Sequence, residues 1–199
     1  MSAATKREHG TPHGMIDAWL AHYAYATPGT ELSSNSTLRL DDLAQPQPDA
    51  LLCVQPEAGG LAHEDEDGYF HGPVELVAEV AASSISIDLH KKKDIYLRNA
   101  IREYLVLTVH EARVFWFALE GGVYVELTPD RRGVVRSRVF PGLWLDTRAL
   151  VRGDGARVLA LLERGVASAV HTVFARELSR KLMRARSKKS RGTGPRPRS

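Results

Sequence analysis

Cysteine is nearly absent: Cys53 stands alone among 199 residues. No intramolecular disulfide can form, and a reducing compartment, the cytoplasm, is the expected location. Long hydrophobic runs are missing too. No window approaches the roughly 18 apolar residues of a membrane span, and the opening MSAATKREHGTPHG lacks the apolar core of a signal peptide. The chain has no P-loop, no dinucleotide fingerprint, and no Gly-x-Ser-x-Gly elbow around Ser83-Ser84, which excludes the chemistries those motifs serve. Internal repeats and long linkers are also lacking, so a 43% hydrophobic composition is read as one domain with one substantial core.

Acids are scarce at one end. From Arg176 to Ser199 ten Lys or Arg face the single acid Glu177, so the net +3 of the chain divides into +9 on that segment and −6 on the rest. Residues 187–199 contain no apolar side chain and are expected to be a disordered basic tail. Such a tail suits either a nucleic-acid arm, attracted to phosphates regardless of sequence, or a solubilising terminus.

What the chain does contain is an ordered series of periodic segments. Residues 13–26 place Met15, Ile16, Trp19, Leu20 and Tyr23 on one helical face, and Thr27-Pro28-Gly29 ends the helix. Strands are expected at residues 36–40, 50–54 and 74–81. After Ser83-Ser84, Asp88 is a candidate N-cap of a helix running to about Ala100, with Ile95, Tyr96 and residues 99–101 inward. Residues 103–109 return as a buried strand, and the runs 112–119 and 123–127 form a hairpin around Glu120-Gly121-Gly122. The strand, helix, strand order over residues 74–109 implies a parallel crossover in a mixed sheet. A last strand falls near residues 134–138, Leu143-Trp144-Leu145 packs on the body, and residues 156–183 form one or two helices. The fold class is α/β or α+β.

Two apolar strands are punctuated by acids. Asp49 enters the run 50–54, and Glu79 sits inside Leu76-Val77-Ala78-Glu79-Val80, where a carboxylate requires a cation or a hydrogen-bonding partner. Metal-assisted phosphodiester hydrolysis needs two such groups, because a cation held by carboxylates polarises the phosphate and lowers the pKa of water. Hard oxygen ligands suit Mg²⁺ or Mn²⁺. A nearby lysine can orient the water or offset charge on the transition state. Lys91, Lys92 and Lys93 lie about 100° apart around a helix axis; Lys92 is one turn before the inward Tyr96 and is the preferred one, while Lys91 and Lys93 read as a solvated face. The run His63-Glu64-Asp65-Glu66-Asp67 with His71 lacks a recognised ligand spacing and reads as a solvated loop. His13 could point toward a phosphate or serve packing, and Cys53 reads as core rather than nucleophile.

These residues resemble the Uma2 family, a branch of the PD-(D/E)XK nuclease fold. The similar stretches are His13-Gly14, Gln47-Pro48-Asp49, the run from Pro73 to Val80 followed by Ala81-Ala82-Ser83-Ser84, Asp88-Leu89-His90-Lys91-Lys92, Tyr96, Ile101-Arg102-Glu103-Tyr104, and the run from Val139 to Asp146. The resemblance spans residues 12–153, leaving 154–186 as a helical extension before the tail. It implies a restriction-endonuclease-like mixed sheet flanked by helices, a metal site of Asp49 and Glu79, and a catalytic set of Asp49, Glu79 and Lys92. The superfamily's lysine would stand at Ala81; the resemblance implies its migration to the following helix. The expected activity is metal-dependent DNA endonuclease. The other class open to the same residues is a catalytically silent nucleic-acid-binding or interaction module on this fold. A homodimer is expected for double-strand cutting, through the hairpin of residues 112–127.

Overall fold

A computed structural model describes residues 7–41, 44–82 and 87–192. Helix α1 (Arg7–Ala26) precedes strands β1 (Thr30–Ser34), β2 (Leu38–Arg39), β3 (Ala50–Val54), β4 (His63–Glu64), β5 (Phe70–His71) and β6 (Leu76–Ala81). A wide π-type turn, Ile87–Lys92, runs directly into α2 (Lys93–Arg98). Then come β7 (Glu103–Thr108), β8 (Arg113–Glu120), β9 (Val123–Glu126), β10 (Val134–Arg136) and β11 (Trp144–Asp146), followed by α3 (Thr147–Val151), α4 (Gly155–Val166) and α5 (Ala169–Gly192).

The main sheet has the order β1-β3-β6-β7-β8-β9. Its β6 and β7 are parallel across α2, as the crossover reading expects, and the other neighbours are antiparallel. Every residue of β3, β6 and β7 is buried, so these strands read as continuous apolar runs because both faces are covered. Alternate residues divide between two cores. Leu52, Leu76, Ala78 and Val80 pack with Ile16, Trp19, Leu20 and Tyr23 of α1. Leu51, Cys53, Val77 and Ala81 pack with Tyr96, Tyr104 and Phe117 on the opposite face. Glu79 shares the parity of Val77 and Ala81 and so projects toward α2.

Several boundaries differ from the sequence expectation. Helix α1 begins at Arg7 and carries Pro12 within it; an interior proline removes one helical donor and crowds the carbonyl four residues back, and contacts from His9 and His13 to Asp49 hold this first part of the helix in place. Strand β1 went unread because TELSS is polar and half-exposed, yet it pairs with the whole of β3. Residues 36–40 contribute only β2, in a small sheet of order β2-β5-β4. The loop of residues 63–67 belongs to that sheet: Asp65 accepts from Tyr69 N and Asp67 N and holds Arg39 at 2.8 Å. Ser83-Ser84 lies outside the described residues. Asp88 falls inside the π-type turn rather than at a helix start, and its side chain also lies outside them.

The C-terminal helices pack on the body. Val158, Leu162 and Leu178 are buried in the same core as α1. At Gly142 an added Cβ would come within 2.7 Å of Gly165 O, so glycine permits the loop before β11 to lie against α4. Helix α5 continues to Gly192. Residues 187–192, expected to be disordered, are therefore helical, because extending a docked helix costs far less than nucleating one. Residues 193–199 lie outside the described residues. Among the described residues, no single helix is long and apolar enough to cross a membrane.

Candidate active site

Asp49 and Glu79 meet through strand register. In the antiparallel pairing of β3 with β6, Ala50 stands opposite Ala78; one step further along the same register, Asp49 stands opposite Glu79. The Asp49 carboxylate accepts a 2.7 Å hydrogen bond from Val80 N through Oδ2, which fixes it beside the strand position of Glu79. Sequence distance is thus converted into a shared edge by the strand register and one side-chain-to-backbone hydrogen bond.

Glu79 is 3% exposed and, among the described residues, is met by Lys92 and Tyr96 across the sheet face. Lys92 Nζ lies 2.9 Å from Oε2, and Tyr96 donates its hydroxyl to Oε1 at 2.9 Å. Lys92 and Tyr96 are four residues apart and reach the same carboxylate, as one-turn neighbours can. The Tyr96 ring packs on Tyr104 at 4.9 Å between centroids, so the hydroxyl is aimed by β7. Burial pushes the Glu79 carboxyl up to about 7; Lys92 pulls it down, the charge of Asp49 raises it and Tyr96 lowers it. Here the desolvation of one acid and the proximity of a second outweigh one cation and one hydroxyl.

The structure brings Asp49, Glu79 and Lys92 together, and it separates the other two lysines. Lys91 is exposed. Lys93 places its Nζ 3.6 Å from the centre of the Phe117 ring, a cation–π contact that holds it away from Glu79. Two further residues reach Asp49 from α1. His9 Nε2 lies 3.4 Å from Asp49 Oδ2, and His13 Nε2 lies 2.9 Å from Asp49 O. Sequence reasoning weighed His13 without placing it, passed over His9, and gave Tyr96 only a packing role. A signal existed for each: His9 and His13 are spaced by four, and so are Lys92 and Tyr96.

Glu103, in the strand after the crossover, is a buried acid of another kind. Its Oε1 accepts from Arg138 N and Val139 N, and its Oε2 from Ser137 Oγ and Trp116 Nε1. It latches the loop before β11 onto the sheet. Cys53 is equally remote from chemistry: burial pushes its thiol up to about 12, so it stays protonated and inert.

The sequence profile of the Uma2 family, described as "Putative restriction endonuclease", matches residues 1–148. The chain belongs to the Uma2 family. Its fold resembles that of a solved protein described as a "putative nuclease belonging to DUF820 from Anabaena variabilis ATCC 29413", at a TM-score of 0.55 and 10% identity. That likeness covers 76% of this chain and 86% of the other. A search among curated proteins finds no match. The mixed sheet flanked by helices is thus a nuclease-like fold, and α4 and α5 lie beyond the span that defines the family.

Proposed function

We propose that the protein is a metal-dependent DNA endonuclease that hydrolyses phosphodiester bonds at the edge shared by Asp49 and Glu79. The observation that carries this reading is the convergence of two strand acids and the Lys92 ammonium, with Lys92 Nζ 2.9 Å from Glu79. The donor set suits a hard divalent cation: it is all carboxylate oxygen, and Asp49 raises the proton affinity of Glu79, a repulsion that a cation relieves. Asp49 and Glu79 would hold Mg²⁺ or Mn²⁺, which supplies phosphate polarisation and a more acidic water. Lys92 then offsets negative charge on the scissile phosphate. Tyr96 holds Glu79 in the rotamer that faces Asp49 and Lys92.

Cutting both strands of a duplex calls for two such centres, and the exposed Val123 and Val125 on the edge strand β9 support a homodimer across that edge. Light scattering at micromolar concentration should give twice the 22.0 kDa chain mass, whereas a monomer would leave single-strand nicking. The activity is tested by incubating supercoiled plasmid with purified protein and Mg²⁺ or Mn²⁺. Nicked or linear product that vanishes with chelator and in Glu79→Gln supports the enzyme. Retarded but uncut DNA under all metals would favour the silent binding module.

A further inference from the structure

We infer that His9, His13 and Asp49 form a second cation site, one that takes a first-row transition metal and joins the nuclease centre through Asp49. The inference rests on the proposed site only in sharing that carboxylate. One ligand atom from each of the three residues lies within 4.8 Å of the others. His9 and His13 are one turn apart on α1, so both rings project from the same helix face, with centroids 5.9 Å apart. The separation of His9 Nε2 from Asp49 Oδ2, 3.4 Å, is what two donors about 2.0–2.2 Å from a common cation would show at a tetrahedral angle.

Two further features point the same way. Among the described residues, His9 Nδ1 in the cluster and Asp17 Oδ1 beside it are buried and make no hydrogen bond, so polar atoms here are left unserved by the contacts described. His13 is ringed by Asp17 Oδ2 at 3.4 Å and Ser34 Oγ at 3.2 Å, and Ser34 donates to Asp17 at 3.0 Å. Both contacts to His13, and the 2.9 Å hydrogen bond to Asp49 O, fall on Nε2; they orient the ring through that nitrogen and assign ligation to Nδ1.

The donor types decide which cation. Imidazole nitrogen favours Zn²⁺, Co²⁺, Ni²⁺ or Mn²⁺ over Mg²⁺, whereas the carboxylates around Glu79 favour Mg²⁺ or Mn²⁺. The two sites therefore differ in selectivity while sharing Asp49, and a tightly held transition cation would bring positive charge to the nuclease edge from the α1 side.

The test uses the untagged full chain, stripped with chelator and titrated with Co²⁺ in excess Mg²⁺. Calorimetry should give one site per chain, with visible d–d absorption from nitrogen and carboxylate ligation. His9→Ala and His13→Ala should each weaken Co²⁺ binding at least tenfold, and His13→Gln, which keeps side-chain volume, should do the same with an unchanged melting temperature. Glu79→Gln should retain the Co²⁺ spectrum even though it loses cleavage, so failure of the nuclease reading would be seen separately. The exposed pair His63 and His71, with rings 5.2 Å apart, is the control. Binding that survives His9→Ala and His13→Ala, or is lost in His63→Ala instead, overturns the inference, as does Co²⁺ affinity no better than millimolar.

Discussion

Replacing Glu79 with glutamine should stabilise the protein above neutral pH while abolishing cleavage. In the folded chain the Glu79 carboxyl is raised from 4.5 to about 7, first by burial. The folded state therefore keeps its proton through a window in which the unfolded chain has lost it, so stability is full below 4.5 and falls as pH rises toward about 7. At about 1.4 kcal/mol per pH unit, the loss from this group amounts to about 3 kcal/mol. Glutamine resembles the protonated acid in shape and charge, so the variant escapes that loss. Lys92 loses its contact with Glu79 in the exchange, but at 28% exposure it can turn to water at little cost. For a chain of this size each kcal/mol moves the midpoint by about 2–4 °C, so Glu79→Gln should melt roughly 6 °C or more above wild type at pH 8 and alongside it below pH 4.5. The assay is a set of thermal melts from pH 4 to 8.5 in chelator; Glu103 titrates in the same direction in both proteins and cancels in the difference. Adding Mg²⁺ should raise the wild-type midpoint, by about 2.7 kcal/mol at one hundred times the dissociation constant, and leave the variant nearly unmoved. Parallel pH curves, or a variant less stable at pH 8, would refute the desolvated carboxylate.

Lys92→Ala should reduce cleavage by about 10²-fold or more, the scale of losing one charge-stabilising donor, while Lys91→Ala stays within a few-fold; the reverse order in a plasmid assay would mean that a different lysine faces the phosphate. Glu103→Gln keeps one acceptor oxygen for four donors, and with charged-acceptor hydrogen bonds worth about 1.5–3 kcal/mol each it should cost roughly 3–5 kcal/mol in denaturant unfolding; a loss below about 1 kcal/mol would show that the latch is unnecessary. Removing residues 187–199 deletes five Lys or Arg and should make the salt dependence of DNA affinity shallower by at most about 4 to 5 in slope, without changing cleavage at saturating DNA. Identical slopes would assign this end of the chain to solubility.

The sequence made the centre of the sheet legible and its periphery obscure, for physical reasons. Strands β3 and β6 are apolar on both faces, so their boundaries coincide with the ends of hydrophobic runs, and an acid inside such a run is conspicuous. The phase of Lys92 could be counted from Tyr96 because both lie near one helical turn that packs inward. Strand β1 had no such pattern, being an edge with polar residues satisfied by pairing rather than burial. The start of α1 was hidden by Pro12, since what holds residues 7–11 in place is a strand acid some 40 residues away. The role of Glu103 could not be read either: its donors come from Trp116 and residues 137–139, brought together only when β8 and the loop before β11 have packed. The resemblance to Uma2 supplied the trio's identity, and the strand register supplied its convergence.

Buried acids are frequent enough in this fold that burial alone does not identify the chemistry. Glu75 accepts Val54 N. Asp146 caps α3 by accepting Ala149 N and holds Arg157 Nε at 2.7 Å. Glu103 is saturated by two amides, a hydroxyl and an indole. In each case backbone or structural donors take up the carboxylate, and its charge serves to fasten one segment to another. Glu79 differs in the nature of its neighbours: its described contacts are a partly exposed ammonium at the end of the π-type turn and a phenol from α2, and its charge is opposed by a second acid at the entry to the adjacent strand. Folding alone gains nothing from setting Asp49 and Glu79 side by side, since the charge of Asp49 raises the cost of ionising Glu79. On the proposed function, a divalent cation and an anionic phosphate would reverse that sign and turn the repulsion into ligation, which is the physical ground for proposing the chemistry at this edge of the sheet.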